Sequence, residues 1–232
     1  MSQHLPNSAT LDFNAKPQLK TFRLRSLYAW EKQYRTRGRL WTGYYSTNRI
    51  EKRLHQNNRV LDVGCGNGKT LIPLAKKKYD VVGLDVSWSA LKILEETLRR
   101  YGVCAKFVLG DATSFPFHDS CFDAVLCSYV LTHLLDEDRI KCVNEIRRGL
   151  KNNGFLFIEV FSTDDFRYDK GKKIGENSFL RKGGIIYHYF THDEIKNLLK
   201  DFQILELKRI VKGRIIQGVR YNHDIISVTA QK

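Results

Sequence analysis

The stretch that decides the fold is Val60-Leu61-Asp62-Val63-Gly64-Cys65-Gly66-Asn67-Gly68. It is an apolar run that carries an acid and continues into three alternate glycines. This pattern predicts a strand that turns sharply into a helix, because glycine frees the backbone to turn and to approach a ligand closely. A second apolar run follows and ends in Asp85. The two segments together predict a site for an adenosine-bearing cofactor.

Strand-like and helix-like segments alternate from residue 59 onward, which is typical of a parallel sheet with helices on both faces. Strands are expected near residues 59–63, 80–85, 104–109, 122–127 and 154–160, and helices near 69–78, 88–101 and 136–150. Two final strands, near 203–211 and 223–230, are expected as an antiparallel pair at the sheet edge. The predicted fold is α/β: a doubly wound, Rossmann-like, seven-stranded and mostly parallel sheet with an antiparallel edge strand.

The rest of the chain divides into segments of different character. Residues 1–20 are polar and aperiodic, so we expect a flexible lead-in. Residues 21–58 are rich in aromatic side chains, and we expect helical material that is broken near Gly38 and packs over a cleft. Residues 59–232 form the cofactor-binding domain. Within it, residues 162–190 interrupt the alternation, so we expect a substrate-side insertion made of a loop and a short hairpin, followed by a helix that Thr191 and Glu194 begin with a capping box.

The charge of the chain is unevenly distributed. The 232 residues carry a formal net charge of +14, of which residues 1–58 contribute +8, residues 59–161 only +1 and residues 162–232 +5. The basic excess therefore lies outside the segment that is expected to bind the cofactor. It favours an anionic partner such as RNA, and charge that serves only solubility remains the alternative.

Targeting, membrane and metal signals are weak in this sequence. Neither a long apolar stretch nor the layout of a secretory signal is present, so we expect a cytoplasmic protein with no membrane partner. The five cysteines form neither a CxxC pair nor a cluster with zinc-ligand spacing. We therefore expect reduced thiols and no metal site.

Polar residues follow each of the first four predicted strands, at the edge where a doubly wound sheet binds its ligands. They are Asp62, Asp85, Asp111, Ser128 and Tyr129. A carboxylate after the second strand is placed to accept from ribose hydroxyls, and one after the third is placed to accept from the adenine amine. The set predicts an adenosine pocket.

A nicotinamide dinucleotide is an alternative ligand, but the spacing argues against it. Its fingerprint is G-x-G-x-x-G, whereas here the third glycine comes one residue earlier. Asp62 would also repel a pyrophosphate, while it would attract the cationic tail of an amino acid.

The sequence resembles the class I S-adenosylmethionine-dependent methyltransferases, in the group with the compact type 11/25-like domain. The resemblance covers roughly residues 58–161. It rests on Leu61–Gly68, Val82–Ser87, Gly110-Asp111-Ala112, Phe122-Asp123-Ala124-Val125, and Leu131-Thr132-His133-Leu134 leading to Glu145-Ile146 and Leu150. The resemblance implies that S-adenosyl-L-methionine is the cofactor.

The resemblance also implies a role for individual residues. Asp62, Gly64 and Gly66 would hold the methionine part, Asp85 the ribose, and Asp111 with the backbone of Ala112 the adenine. Ser128 would lie near the transferable methyl group, and Cys65 and Val86 complete the implied cofactor-binding set.

The flanks resemble other members more loosely. Trp30-Glu31-x-x-Tyr34 with Trp41 is similar to the N-terminal lid of tellurite-resistance-type and thiopurine-type methyltransferases, which makes Tyr34, Arg39 and Trp41 candidate cofactor-binding lid residues. The run from Tyr187 to Thr191 is similar to members that act on small molecules and on tRNA wobble uridines.

Methyl transfer is an in-line displacement from an activated leaving group, so positioning and at most one base suffice. His133 and His188 are the candidate catalytic bases, although His133 is as readily explained as a residue that orients the loop. The basic flanks favour RNA, and tRNA in particular, as methyl acceptor. A small anionic metabolite, a protein side chain, or a non-catalytic binding module with this fold remain open. Cys127-Ser128-Tyr129-Val130 stands where methyltransferases of exocyclic base amines have an Asn-Pro-Pro-Tyr-like tetrapeptide, which argues against that group.

Overall fold

A seven-stranded sheet forms the centre of the computed structural model, which describes residues 15–232, with side chains from residue 21 onward except at positions 214, 216, 219 and 220. The ten strands in chain order are β1 Arg59–Val63, β2 Asp80–Asp85, β3 Lys106–Leu109, β4 Phe122–Ser128, β5 Leu150–Phe161, β6 Lys172–Gly175, β7 Ser178–Leu180, β8 Ile186–His188, β9 Gln203–Ile216 and β10 Val219–Gln231. The large sheet has the order β3-β2-β1-β4-β5-β10-β9. Only β10 runs in the direction opposite to the other six strands of this sheet. The predicted fold class is confirmed.

Six α-helices and one short 3-10 helix, Leu131–His133, accompany the strands within the described residues. The α-helices are α1 Ala15–Arg37, α2 Asn48–Glu51, α3 Leu71–Lys76, α4 Trp88–Tyr101, α5 Asp136–Gly149 and α6 His192–Leu198. The sequence explains the limits of α4, since the Ser87 side chain accepts a hydrogen bond from the backbone N–H of Ala90, and Gly102 ends the helix in the left-handed conformation.

Two apolar cores lie on the two faces of the sheet. Successive residues of a strand point to opposite faces, so Leu61 and Val63 belong to one core and Val60 to the other. The first core includes residues of α5 and α6, and the second includes residues of α3 and α4. This double coverage leaves the carboxyl-terminal edge of the strands as the place for a ligand site.

The N-terminal helix lies over that edge. α1 begins at Ala15, earlier than expected, and Gly38 ends it at a φ of +68°; residues 1–14 of the expected lead-in lie outside the described part. Arg23 of α1 contacts Asp111, and Glu31 contacts Ser87 at the start of α4. We call α1 and the following residues 38–47 the lid.

The C-terminal part departs from the sequence-based prediction in two places. Residues 162–190 contain a three-stranded antiparallel sheet, β6-β7-β8, instead of a loop and one short hairpin. β9 and β10 are also longer than expected and continue to pair with each other beyond the last residue pair of β10 with β5, Ile225 and Phe161. We call this extension, residues 211–224, the hairpin arm.

Candidate active site

A cavity of about 420 Å³ opens at the carboxyl ends of the strands, beneath the lid. Nearly all of the sequence-predicted cofactor residues line it, and they are Asp62, Gly64, Cys65, Gly66, Asp85, Val86, Asp111, Ala112, Ser128, Tyr34 and Trp41. Arg39 is the exception, because its guanidinium donates to Thr97 Oγ1 on α4 at 2.7 Å and does not line the cavity.

The glycine loop forms the floor of the cavity. The backbone N–H groups of Gly64 and Cys65 donate to the carbonyl of Leu84, at 2.7 and 3.1 Å, which fixes the loop to β2. Gly64 and Gly66 have φ values of +65° and +52°. A Cβ atom on Gly66 would collide with the hydroxyl of Tyr34. Glycine is therefore required here by both the backbone conformation and the close approach of the lid.

Two buried carboxylates lie beside this loop. Asp85 accepts hydrogen bonds from the backbone N–H groups of Gly66 at 2.7 Å and Ser87 at 2.9 Å. Burial raises the pKa of Asp85 above its ordinary value. Burial, together with the charge of Asp85, raises the pKa of Asp62 to about 7. Among the described side chains, no Lys, Arg or His forms a salt bridge with either acid. Such a pair fits a ligand that brings a cationic group and hydroxyl donors.

The acid after β3 is already bound by the lid. Arg23 Nη2 lies 2.5 Å from Asp111 Oδ2, and Asp111 Oδ1 accepts from the backbone N–H and the hydroxyl of Thr113 at 2.8 and 2.9 Å. The Nε atom of Arg23 also lies 2.8 Å from Asp138 Oδ2. The lid is thus attached where the adenine is expected.

Asn67 attaches the lid to the glycine loop, a role that the sequence did not indicate. Its side chain accepts from the backbone N–H of Trp41 at 3.2 Å and donates to the Trp41 carbonyl at 3.0 Å. Tyr34 is also buried, and it interacts with the Trp41 side chain and the Asn67 backbone. The lid therefore covers the end of the cavity where the methionine part is expected.

Aromatic rings line the other half of the cavity, which we call the acceptor half. The ring of Tyr129 stacks on Phe161 at 4.7 Å and on Tyr45 at 6.3 Å, and Phe161 stacks on Tyr187 at 6.3 Å between centroids. Tyr129 has a φ of +64°, a conformation that is strained for an aromatic residue. Tyr129 directly follows Ser128, the last residue of β4.

The two candidate histidines occupy different environments. His133 lines the cavity, and its Nδ1 lies 2.7 Å from the carbonyl of Ile186, so Nδ1 carries the proton and Nε2 the lone pair. Burial lowers the pKa of His133 to about 4, which keeps the ring neutral near pH 7. His188 does not line the cavity. It is buried, with Nδ1 2.8 Å from Ser178 Oγ and Nε2 2.7 Å from the Glu194 carboxylate.

The environment of His188 also corrects the expected capping box. Thr191 Oγ1 accepts from the backbone N–H of Glu194 at 3.1 Å, as predicted. The Glu194 carboxylate, however, binds His188 and lies 3.6 Å from Arg139, so it joins α6 to β8 and α5. The sequence pattern identified the cap but not the longer-range partners.

Three basic side chains line the cavity as well, and the sequence-based site did not include them. They are Lys69, Arg167 and Lys212. The guanidinium of Arg167 is paired with Asp165 at 2.8 Å and lies 3.8 Å from the centroid of the Phe161 ring. Basic residues of a site are hard to recognise in a chain that has 39 lysines and arginines.

Comparison with known proteins agrees with this geometry. A family profile described as a methyltransferase domain matches residues 60–154. A solved SAM-dependent methyltransferase from Methanosarcina mazei is 30% identical, with a TM-score of 0.68, and the alignment covers 82% of this chain and 99% of that chain. The chain belongs to the class I S-adenosylmethionine-dependent methyltransferases, and S-adenosyl-L-methionine is its cofactor.

The names of two curated relatives state the methyl acceptor of those enzymes. The tRNA N(3)-cytidine methyltransferase METTL2 of Gallus gallus is 27% identical over 168 residues, which are 68% of this chain and 45% of the relative. The METTL2 enzyme of Danio rerio is 29% identical over 169 residues, 68% of this chain and 48% of the relative. The chain thus spans about half the length of these relatives.

A structural neighbour with a small-molecule substrate shares the fold. It is the 1,6-didemethyltoxoflavin-N1-methyltransferase of Burkholderia thailandensis, solved with 1,6-didemethyltoxoflavin and S-adenosylhomocysteine. The identity is 20%, the TM-score is 0.69, and the alignment covers 98% of this chain and 93% of that chain.

Proposed function

We propose that this methyltransferase acts on a base of tRNA and that the acceptor is a ring nitrogen, with N3 of cytidine as the first atom to test. The observation that carries the proposal is the aromatic acceptor half beside Ser128, where Tyr45, Tyr129 and Phe161 stack. Stacked rings are suited to a planar base that has left its helix. The printed activity of the METTL2 relatives and the basic flanks support the same acceptor.

The roles proposed for the cofactor residues follow from their placement. Asp62 and the backbone of Gly64 and Gly66 would hold the methionine part, Asp85 the ribose, and Asp111 the adenine. When bound, S-adenosyl-L-methionine supplies a methyl group on a sulfonium, whose departure needs no acid. The remaining task of the protein is to orient the acceptor and to exclude water. Tyr34, Trp41 and Trp30 of the lid line the cavity and are suited to that task.

His133 has a limited part in this proposal. A ring nitrogen with a free lone pair forms its bond to the methyl carbon without first losing a proton, so the reaction needs no general base. The low pKa of His133 also makes it a weak base. We propose that His133 positions the acceptor half, since its ring packs edge-on against both Trp30 and Tyr187 with centroids 4.8 Å apart.

A small anionic metabolite is the second candidate acceptor, and one observation favours it. The lid lies over the cavity, with Ser26, Leu27 and Trp30 in its lining, and a closed site suits a small molecule. A tRNA base would require the lid to move or the base to enter from the side of the hairpin arm.

The test is transfer of a labelled methyl group to purified total tRNA, followed by digestion to nucleosides. We expect label in 3-methylcytidine with the native protein and no label with Asp85→Ala. Asp80→Ala is the matched control, because Asp80 is an exposed acid at the opposite end of the same strand.

The other acceptors are distinguished in a fractionated cell extract. Label in small, nuclease-resistant material would identify a metabolite, and protease-sensitive label would identify a protein side chain. Cofactor binding without any transfer would show a non-catalytic binding module. Each of these results would contradict the tRNA proposal.

A further inference from the structure

Two lysines from distant parts of the chain meet beside the acceptor half. Lys69 follows the glycine loop, and Lys212 belongs to the hairpin arm. Both line the cavity, and their Nζ atoms lie 4.5 and 6.0 Å from the centroid of the Tyr45 ring. One aromatic ring therefore contacts two ammonium groups that are 143 positions apart in the sequence.

These lysines lack the carboxylate partners that the neighbouring cations have. In the part of the chain that the structure describes, neither Lys69 nor Lys212 forms a salt bridge within 4.0 Å. Arg167 is paired with Asp165, and Arg49 lies 3.6 Å from Glu159. The charge of Glu159 acts to raise the pKa of Lys69, but Glu159 forms its salt bridge with Arg49. Burial, and then the charge of Lys212, lower the pKa of Lys69. Two cations that repel each other beside a cavity are stabilised by an anion between them.

Tyr45 joins this pair of cations to the acceptor half. Its ring stacks on Tyr129, and its backbone N–H donates to the Lys69 carbonyl at 3.2 Å. The place proposed for a planar base and the place suited to an anion thus adjoin the same side chain. A nucleotide carries both a planar base and an anionic phosphate, so it can place one group against each part of the site.

We propose that Lys69 and Lys212 bind the phosphate of the nucleotide whose base enters the acceptor half. This inference rests on the proposed function and narrows it. The unit that the site recognises is a base with its own phosphate, which selects a polynucleotide over a free nucleoside or a neutral metabolite. Lysine binds phosphate as a compact point charge, so the expected contribution is to affinity and not to the choice of base.

The first experiment measures ligand binding without catalysis. Cytidine, cytidine 5′-monophosphate and cytidine 3′-monophosphate are titrated into the full chain saturated with S-adenosylhomocysteine. We expect one of the nucleotides to bind at least about 10-fold more tightly than cytidine, as charge-assisted hydrogen bonds to phosphate would give. The double variant Lys69→Gln/Lys212→Gln should lose this preference. Lys106→Gln is the matched control, because Lys106 is exposed on β3 at the far edge of the sheet.

The second experiment measures the salt dependence of tRNA methylation. For the double variant we expect the slope of log kcat/KM against log salt to become shallower by about 0.7 to 0.9, as expected for the loss of contact with one phosphate. Folding of the variants is checked by their affinity for S-adenosylhomocysteine, which should be unchanged.

Three results would overturn the inference. One is equal affinity of the native protein for cytidine and both nucleotides. Another is an unchanged preference and slope in the double variant. The third is a loss of S-adenosylhomocysteine affinity in Lys69→Gln with the nucleotide preference retained, which would place this lysine on the cofactor carboxylate.

The two proposals fail in distinguishable ways. If tRNA is methylated but nucleotides are not preferred, only the inference about the lysines fails. If nucleotides are preferred but tRNA is not methylated, the proposed acceptor is wrong.

Discussion

Asp62 and Asp85 are buried side by side, and this arrangement costs stability until a ligand compensates it. Burial, and then the charge of Asp85, raise the pKa of Asp62 from its ordinary 3.8 to about 7. In the free protein, Asp62 therefore keeps its proton to a much higher pH than an exposed aspartate does. A cationic amino-acid tail favours the ionised form, so its binding must release a proton.

We predict that affinity for S-adenosyl-L-methionine rises with pH through Asp62. Below pH 7 the proton must leave before the cation binds, so native affinity should fall by up to about 10-fold per pH unit. Isothermal titration calorimetry between pH 5.5 and 8, on native protein and Asp62→Asn, measures the ratio of the two affinities. That ratio cancels the titration of the ligand itself. A ratio that stays constant with pH would contradict the prediction, because it would show that Asp62 releases no proton when the cofactor binds.

The two histidines show how far a candidate base can be identified from residue type alone. Both follow predicted strands or aromatic runs, and the sequence offers no means of ranking them. The partners of His188, Ser178 and Glu194, come from two other elements, which only the fold brings together. Arg39 is a similar case, because its partner Thr97 lies on α4.

We predict that substitution of His133 mainly affects kcat, whereas substitution of His188 mainly affects stability. His133→Phe keeps the packed ring, so kcat should fall by less than about 10-fold, well under the 10²–10⁴ that general acid–base catalysis contributes. His188→Gln should leave kcat within about 3-fold but lower stability by about 1–3 kcal/mol, since buried hydrogen bonds are lost. Steady-state kinetics and thermal melts of both variants measure this. A 100-fold fall in kcat for His133→Phe would identify a general base instead.

The lid is held to the core by polar contacts at the start of α4. Glu31 accepts hydrogen bonds from Ser87 Oγ at 2.8 Å, Ser89 Oγ at 2.6 Å and the Ser89 backbone N–H at 3.1 Å. Burial acts to raise the pKa of Glu31, but the hydrogen bonds from Ser89 and Ser87 outweigh it and lower that pKa. A carboxylate at a helix N-terminus also interacts favourably with the helix dipole.

We predict that Glu31→Ala accelerates cofactor release. Loss of these charge-assisted bonds should cost the closed lid about 1–2 kcal/mol, which corresponds to a 5- to 30-fold faster dissociation of S-adenosylhomocysteine. Stopped-flow displacement measures the rate. Glu95→Ala is the control, because Glu95 is exposed on α4, the helix whose start Glu31 contacts, and pairs with Arg99 at 3.5 Å. Equal rates for the two variants would mean that α1 does not gate the cofactor.

Elements with strong periodicity were predictable, and elements stabilised by distant contacts were not. β1, β2 and β4 are short apolar runs that are buried almost throughout, and α4 and α5 bury one face at helical spacing. The positions of the first five strands and of these two helices therefore agree with the sequence pattern within a few residues. β6, β7 and β8 have only three or four residues each, too few to show a periodic pattern, and they pair because the chain folds back on itself. The hairpin arm was missed because its exposed residues lack the apolar alternation of a half-buried strand.

The glycines and acids of the cofactor half were predictable, whereas Tyr45, Lys69 and Lys212 became recognisable only when the fold placed them around one cavity.

The whole molecule separates a nearly neutral centre from basic surroundings. Strands β1 to β5 and their helices lie in the segment with a net charge of +1, while α1 alone carries seven lysines and arginines against one glutamate. Arg25, Lys32, Arg35 and Arg37 of α1 are exposed. Within the described residues, no helix has the length and apolar character needed to cross a membrane. This distribution of charge supports the polyanionic acceptor that we propose.

We predict that tRNA affinity depends strongly on salt and that cofactor affinity does not. For three to four phosphate contacts, the tRNA dissociation constant should rise by about 20- to 150-fold between 50 and 200 mM salt. Fluorescence anisotropy of labelled tRNA measures it, with S-adenosylhomocysteine binding measured under the same conditions. Arg35→Gln/Arg37→Gln should make the slope shallower because both arginines are exposed on α1, which is part of the lid, whereas Lys106→Gln on β3 should leave it unchanged. If the dissociation constant changes by less than about 3-fold over this range, fewer than one phosphate is contacted. The positive charge would then serve solubility, and the small-metabolite acceptor would become the better proposal.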